Sequence, residues 1–132
     1  MIEAKAEWKK NYQVGVQVRQ FGVNVDEPPQ YHGEDTGMMP TELFISSLAS
    51  CFCLALVFVA KRKRIKIADM RVDVNAEADT RNFRYKKLIV KVKSSTLDAE
   101  LESLIEQAKK YCYVSNTISQ SCPIEYEIDN EV

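Results

Sequence analysis

The chain has 132 residues, the length of one ordinary domain, and we expect a single domain over residues 1–132. Its 18 lysines and arginines nearly balance its 19 aspartates and glutamates, which gives a net charge of −1. No overall field therefore recruits nucleic acid or anionic lipid, and any partner must be recognised by a local site.

The N-terminal segment predicts a cytosolic protein that begins with a β-meander. MIEAKAEWKK alternates apolar and charged residues and lacks the apolar run of a signal peptide, so we expect the cytosol, where thiols stay reduced. Residues 2–9 have the period of a half-buried strand, and the same alternation recurs at 14–18 and 21–25. This pattern predicts a sheet of three antiparallel strands with one solvent-exposed face.

A loop and a long apolar helix follow the meander. Residues 26–39, DEPPQYHGEDTGMM, have no periodicity and predict a loop. Pro40 and Glu42 suit the first turn of a helix, and the basic run at 61–64 suits its end. The residues between are apolar on every side, which predicts a helix of about 22 residues that is buried all round.

This apolar run has alternative interpretations. Residues 43–60 approach the minimum length of a membrane span, but three serines and the lack of a second apolar segment favour a buried core helix. The basic cluster 61–66 could complement the helix dipole or contact nucleic acid, and the neutral total charge favours the first. One sheet covers only one side of a helix, so a helix buried all round predicts a homodimer.

The second half of the chain predicts three more strands and a second helix. Residues 70–79 and 83–92 alternate as strands, with a bulge at 86–87 where the alternation slips, and residues 124–128 alternate as a last strand. Asp98 is the predicted N-cap of an amphipathic helix that runs to Ser115. The order β-β-β-α-β-β-α-β defines an α+β domain.

Four cysteines carry the candidate chemistry. They form no CxxC pair, and the chain has a single histidine, so a structural zinc site lacks its usual ligand spacing and we expect no metal. Cys51 and Cys53 are two positions apart on the predicted helix, about 200° around its axis. They cannot face one pocket or form a disulfide with each other, so only one of them can be the working thiol.

Two motifs carry a resemblance to a known family. The run PTELFISSLASC after the loop and the later CYVSNTI resemble the OsmC/Ohr family of osmotically induced and organic-hydroperoxide-resistance proteins. The acid lies at Glu42, one residue later than in the well-characterised branches, which resembles the YhfA-like branch. The resemblance covers nearly the whole chain and implies antiparallel sheets wrapped around a long central buried helix, in an intertwined homodimer with a site at the subunit interface.

The resemblance further implies a thiol peroxidase that reduces organic hydroperoxides. Cys51 matches the peroxidatic cysteine, which becomes a sulfenic acid, and Cys112 matches the resolving cysteine, which condenses with it to a disulfide. That cycle needs no cofactor, only the hydroperoxide and an external thiol reductant. Cys53 and Cys122 have no counterpart in this pairing, and we expect both to be buried packing residues.

A thiol in the middle of a buried helix needs a cation to become a thiolate. The family uses an arginine from a strand or from the loop before the proline. Here that loop contains no arginine, and we expect its His32 to be an ordinary exposed residue, so Arg19 is the candidate activating group.

Glu42 is the candidate orienting group for the thiol. It lies nine residues before Cys51, about 13.5 Å along a continuous helix and about 180° around it. A role at the thiol therefore requires a second subunit or a break in the helix. The alternative is an acid that only stabilises the helix N-terminus.

Two other functions stay open beside the peroxidase. The same dimer could be a non-enzymatic binding module that holds a small thiol, a thioester or an apolar ligand at its interface, which the missing loop arginine favours. It could also be a structural or interaction protein with four packing cysteines. Two cysteines at positions matching the family disfavour this last interpretation.

Overall fold

The computed structural model describes residues 1–129, which form two compact units, Met1–Ser47 and a second unit from Leu48 onward. Antiparallel strands and helices occur in separate stretches, which confirms the α+β class. In chain order the elements are β1 (Lys5–Lys10), β2 (Gln13–Val18), β3 (Phe21–Val25), a 3-10 turn (Pro29–Tyr31), α1 (Pro40–Arg62), β4 (Arg71–Asp79), β5 (Arg84–Lys93), α2 (Asp98–Ala108) and α3 (Tyr113–Ser119).

The first unit contains the predicted meander. Strand β2 lies between β1 and β3, and both pairings are antiparallel, with Val14 opposite Trp8 on one side and Val25 on the other. Strand β1 is exposed along its whole length, and Trp8 is 69% exposed. The apolar face that the alternation predicts is therefore present but uncovered in the single chain.

The loop between β3 and α1 is folded around one buried carboxylate. Asp26 is fully buried and accepts hydrogen bonds from the Thr36 hydroxyl at 2.6 Å, the Thr36 backbone N–H at 3.0 Å and the Glu27 N–H at 2.7 Å. These bonds lower the pKa of the Asp26 carboxyl. A side chain at Gly37 would overlap the backbone of Asn24, so the loop closes tightly onto β3.

Helix α1 spans 23 residues, close to the predicted length. It is long and apolar enough to cross a membrane by length and composition, but it supplies most of the buried core of the second unit. Its buried residues are Leu48, Phe52, Ala55, Leu56, Val59 and Ala60. The expectation that α1 is buried all round does not hold in the single chain, because Leu54 is 69% and Phe58 46% exposed.

Strands β4 and β5 form an antiparallel hairpin with the predicted bulge. Glu77 pairs with Lys87 and the next residue, Ala78, pairs with Tyr85, which leaves Lys86 as the extra residue. After the bulge the hairpin turns its apolar face inward, since Leu88 and Val92 both pack against the core.

The predicted helix from Asp98 to Ser115 is two helices, which corrects the sequence-based expectation. Helix α2 ends at Ala108, and α3 begins at Tyr113 after a turn. Asp98 is the first residue of α2, not its N-cap, which is Leu97. The helix is interrupted because Cys112 has extended backbone angles and caps the N-terminus of α3 with its own side chain.

The predicted strand at 124–128 does not form in the described chain. Ile124, Tyr126 and Ile128 are 74%, 90% and 92% exposed, and their backbone is irregular. A strand is stable only beside another strand that takes up its backbone hydrogen bonds, and none pairs with this segment within residues 1–129. The described order is thus β-β-β-α-β-β-α-α.

Candidate active site

Two cysteines from distant parts of the sequence meet in the second unit. Cys51 lies half-buried on α1, and its thiol interacts with the thiol of Cys112 and with the backbone N–H groups of Tyr113 and Val114. Cys112 is completely buried. The fold therefore brings the predicted peroxidatic and resolving residues together.

The surroundings of Cys51 favour a neutral thiol in the single chain. Burial is the main influence and raises the pKa of the Cys51 thiol, and the neighbouring Cys112 raises it too. The N–H groups of Val114 and Tyr113 oppose this rise, because they donate to the charged form. Since the thiolate is the nucleophilic form, Cys51 needs a further positive group to react quickly at neutral pH.

Ser115 holds Cys112 in place, and sequence reasoning missed it. Its backbone N–H donates to the Cys112 sulfur at 3.5 Å, and its hydroxyl donates to the Cys112 carbonyl at 3.2 Å. In the sequence, Ser115 lies three positions after Cys112, which is the spacing between an N-cap residue and the backbone N–H that it accepts from. The predicted helix ran through Cys112, so Cys112 was not expected to be a cap.

The other two cysteines lie apart from this pair. The Cys53 sulfur lies 3.9 Å from the Met70 carbonyl, a different neighbour from that of Cys51, which confirms that the two residues do not share a pocket. Cys53 is half-buried. Cys122 is exposed in the irregular segment after α3, so the expectation that it is buried packing is wrong.

An apolar cavity of about 370 Å³ is lined by residues close to Cys51 and Cys112 in the sequence, although neither cysteine lines it. Leu48 and Phe52, on the same helix as Cys51, contribute to its wall, and so does Ser115, which holds Cys112. Almost all of the lining is hydrophobic, with Lys109 as the one charged contribution. The full lining is Leu48, Phe52, Leu88, Val90, Val92, Ile105, Lys109, Ser115 and Ile118.

The other predicted site residues belong to the first unit. Arg19 lies in the turn between β2 and β3, with its guanidinium 5.1 Å from the centre of the Phe21 ring. Glu42 accepts a hydrogen bond from the Met39 N–H at 2.9 Å, the contact expected of an acid at a helix N-terminus. Helix α1 is continuous from Pro40 to Arg62, so the structure contains no break that could turn Glu42 towards Cys51.

His32 is exposed, as the sequence predicts. It ends the 3-10 turn in a left-handed conformation, and its ring lies near that of Tyr12, with 6.1 Å between centroids. Within residues 1–129 no three His, Cys, Asp or Glu side chains converge as metal ligands would.

The fold and the site define an α+β protein in which two cysteine thiols from distant parts of the sequence meet. More narrowly, the chain belongs to the OsmC-like protein family, whose model matches residues 33–127. The match includes Cys51, Cys112 and Glu42 and leaves out Arg19. The family includes hydroperoxide-resistance proteins that are cysteine peroxidases, and its members are generally soluble.

Two relatives share about a third of their aligned residues with this chain. An uncharacterised protein of Methanocaldococcus jannaschii is 32% identical over 93 residues, which cover 67% of this chain and 48% of the relative. The organic hydroperoxide resistance protein OhrA of Bacillus subtilis is 30% identical over 92 residues, which cover 67% of this chain and 65% of the relative. The chain thus spans about half of the first relative and just under two thirds of the second.

Solved structures confirm the fold. The OsmC-like protein of Mycoplasma pneumoniae superposes with a TM-score of 0.76 at 20% identity, over 92% of this chain and 89% of the other. This likeness confirms the OsmC-like α+β architecture that the sequence predicts.

Proposed function

We propose that the protein is a thiol peroxidase of the OsmC type that reduces organic hydroperoxides, with Cys51 as the peroxidatic and Cys112 as the resolving cysteine. The contact between these two thiols is the observation that carries the proposal. Cys51 is the half-exposed member of the pair, which suits the residue that meets the substrate. Cys112 is buried behind it, which suits a residue that reacts second.

The reaction follows from ordinary sulfur chemistry. The Cys51 thiolate attacks a peroxide oxygen, the O–O bond breaks, and the leaving alkoxide takes a proton to become an alcohol. Cys51 is then a sulfenic acid. The Cys112 thiol condenses with it, releasing water and forming a disulfide, which an external thiol reductant converts back to two thiols.

The apolar cavity supports an organic substrate. Its walls offer aliphatic and aromatic surface to the carbon skeleton of a hydroperoxide and few groups that would solvate hydrogen peroxide. Leu48 and Phe52 connect this surface to the helix that carries Cys51. An alkyl or aryl group in the cavity would hold the peroxide group near the thiol.

We further propose that the protein is a cytosolic homodimer. In this dimer a second copy of the chain supplies the groups that activate the Cys51 thiol. Cys51, Leu54 and Phe58 follow one another at helical spacing, and the latter two are exposed apolar residues. A second copy that covered this stripe would also enclose Cys51. In this proposal Arg19 and Glu42 of the second copy act at the thiol: Arg19 stabilises the thiolate and the leaving oxygen, and Glu42 is the orienting group.

Turnover assays test the proposal. With dithiothreitol as reductant, the protein should consume cumene hydroperoxide, and Cys51→Ser should lower the rate at least about a hundredfold, since it removes the nucleophile. Cys53→Ser is the matched control and should keep nearly full activity. Equal rates for wild type and Cys51→Ser would contradict the assignment.

A second function, a binding module for an apolar ligand, is favoured by the cavity and by the raised pKa of Cys51. In that case the thiols would never turn over. Native mass spectrometry of the purified protein distinguishes the two: a bound apolar molecule, together with four thiols that hydroperoxide leaves unchanged, would favour the binding module.

A further inference from the structure

The C-terminal ends of α1 and α2 lie side by side and bring two basic stretches of the sequence together. Arg62, the last residue of α1, donates to the Tyr111 hydroxyl at 3.1 Å, just beyond the end of α2. The rings of Phe58 and Tyr111 meet edge to face, with 5.1 Å between centroids. We use the name basic surface for five exposed cations beside these contacts: Lys61, Lys63, Arg64, Lys66 and Lys110.

A hydrogen-bonded cap orders the end of α1 that carries most of the basic surface. The Ile65 N–H donates to the Ala60 carbonyl at 2.9 Å, and the Arg64 N–H donates to the Lys61 carbonyl at 3.2 Å. These two bonds form the Schellman motif, which continues the chain past the helix in a fixed direction. Ile65 packs against the core, whereas Arg64 and Lys66 on either side of it are exposed. The cations therefore lie on an ordered helix end.

Arg64 stands at the position of this cap that favours glycine. Its φ is 57°, in the left-handed region that glycine enters most easily because it lacks a Cβ atom. The Arg64 side chain forms no ion pair within residues 1–129. The helix end therefore does not need an arginine here, and the guanidinium is available to an external anion.

The charge of the basic surface is not compensated within the described chain. Residues 58–68 and 107–122 contain no aspartate or glutamate. The ion pairs formed within residues 1–129 include none of its five cations, whereas the neighbouring Lys109 pairs with Glu106 at 2.8 Å. The dipole of α1 acts within its last turn, so it accounts for Lys61 but not for the cations beyond Arg62.

The aromatic ring at the join of the two helices is already covered. The Arg62 guanidinium lies 5.9 Å from the centre of the Tyr111 ring, and the Phe58 ring meets the same ring edge to face. Proteins that bind single-stranded nucleic acid stack bases on free aromatic faces beside their cations, so this arrangement disfavours nucleic acid. Arg62 follows Phe58 at helical spacing, on the stripe assigned to a second copy, and is not counted in the basic surface.

We propose that the basic surface binds the protein reversibly to membranes that contain anionic lipids. A cluster of four to eight lysines and arginines is typical of surfaces that recognise anionic headgroups. Tyr113 is 86% exposed and lines a polar cleft together with Lys110, and tyrosine is enriched where proteins meet the membrane–water interface.

The proposed contact is peripheral, because α1 stays in the core of the second unit. The local cluster can act although the net charge of the chain is −1, since exposed charges more than about 10 Å away are largely screened by salt. Attraction between lysines and headgroups needs no reactive thiol. The inference therefore goes beyond the proposed peroxidase and does not rest on it.

Co-sedimentation with vesicles tests the proposal. Wild type should bind vesicles with about one third phosphatidylglycerol at least about a hundredfold more tightly than vesicles of phosphatidylcholine alone, and high salt should reduce this difference. Lys63→Gln/Lys66→Gln removes two cations and should weaken binding about 25-fold, since each contributes about fivefold. Lys87→Gln/Lys91→Gln removes the same charge from exposed positions of β5 and should bind like wild type.

Arg64→Gly separates membrane binding from stability. Glycine suits the left-handed backbone of the helix cap, so this variant should not unfold at a lower Tm than wild type. It nevertheless lacks one cation and should bind the anionic vesicles about fivefold more weakly. Unchanged vesicle binding by Arg64→Gly would contradict the proposal.

Three other outcomes would overturn it. They are equal binding of wild type to both kinds of vesicle, an equal loss in the two double variants, and release of the protein from anionic vesicles by an equal phosphate concentration of RNA or duplex DNA at physiological salt. Circular dichroism checks that each variant is folded. Cys51→Ser should bind the vesicles like wild type, so failure of the proposed peroxidase activity leaves this test intact.

Discussion

Cys51 and Cys53 show how helical geometry gives two neighbouring residues different chemistry. The sequence alone predicts that they diverge, because two positions on a helix lie about 200° apart. It also predicts Cys112 as the partner through the family motif. It could not predict that Ser115 fixes Cys112, because that contact depends on where one helix stops and the next begins.

Arg19 should control the ionisation of Cys51. Burial raises the pKa of this thiol in the single chain, so a guanidinium from a second copy would have to lower it. Arg19→Gln should therefore raise the apparent pKa of Cys51, which leaves less thiolate at neutral pH. The pH dependence of iodoacetamide labelling at Cys51 measures this shift.

Arg81→Gln is the matched control, since Arg81 is an exposed arginine between β4 and β5. It should leave the labelling profile unchanged. Identical profiles for wild type and Arg19→Gln would show that Arg19 does not activate the thiol.

At the scale of elements, periodicity located most of the secondary structure. The alternation predicted the meander, the β4–β5 hairpin and its bulge, because each apolar face is locally encoded. Helical periodicity failed after Ala108, because an apolar stripe shows which residues face the core but does not show that the helix is continuous. Alternation also failed at 124–128, where the pattern of a strand is present but no strand among residues 1–129 pairs with it.

The loop of residues 26–39 should depend on the ionised Asp26 carboxylate. The pKa of Asp26 is lowered in the folded state. The carboxylate therefore stabilises the loop fully above the usual carboxyl pKa, and this stabilisation is lost as the pH falls through the lowered value. Asp26→Asn should therefore lower the Tm at neutral pH, and the difference in Tm from wild type should narrow as the pH falls below the usual carboxyl pKa. Thermal unfolding followed over this pH range provides the measurement.

Asp35→Asn is the control for this loop, since Asp35 is exposed in the same segment. Its Tm should follow that of wild type at every pH. A Tm for Asp26→Asn equal to that of wild type at neutral pH would mean that the carboxylate does not stabilise the loop.

At the scale of the whole molecule, the uncovered apolar residues point to a second copy. Leu54 is exposed on the same stripe of α1 as Cys51, and Trp8 is exposed on β1. Leu54→Glu would bury a charge in the proposed interface, so it should convert the dimer to a monomer and reduce peroxidase activity. Sedimentation velocity at micromolar concentration measures the oligomeric state.

Leu97→Glu changes another exposed leucine, at the start of α2, and should leave the dimer intact. A monomeric wild-type protein, or a Leu54→Glu variant that stays dimeric, would contradict this interface.

The proposed peroxidase must form a disulfide between Cys51 and Cys112 when it meets an organic hydroperoxide. The direct measurement treats reduced protein with one equivalent of cumene hydroperoxide, blocks the remaining thiols with iodoacetamide and maps the peptides by mass spectrometry. We expect a peptide pair that is joined through Cys51 and Cys112 and has lost two hydrogens, with Cys53 and Cys122 alkylated. Alkylation of all four cysteines, or a disulfide between any other two, would contradict it.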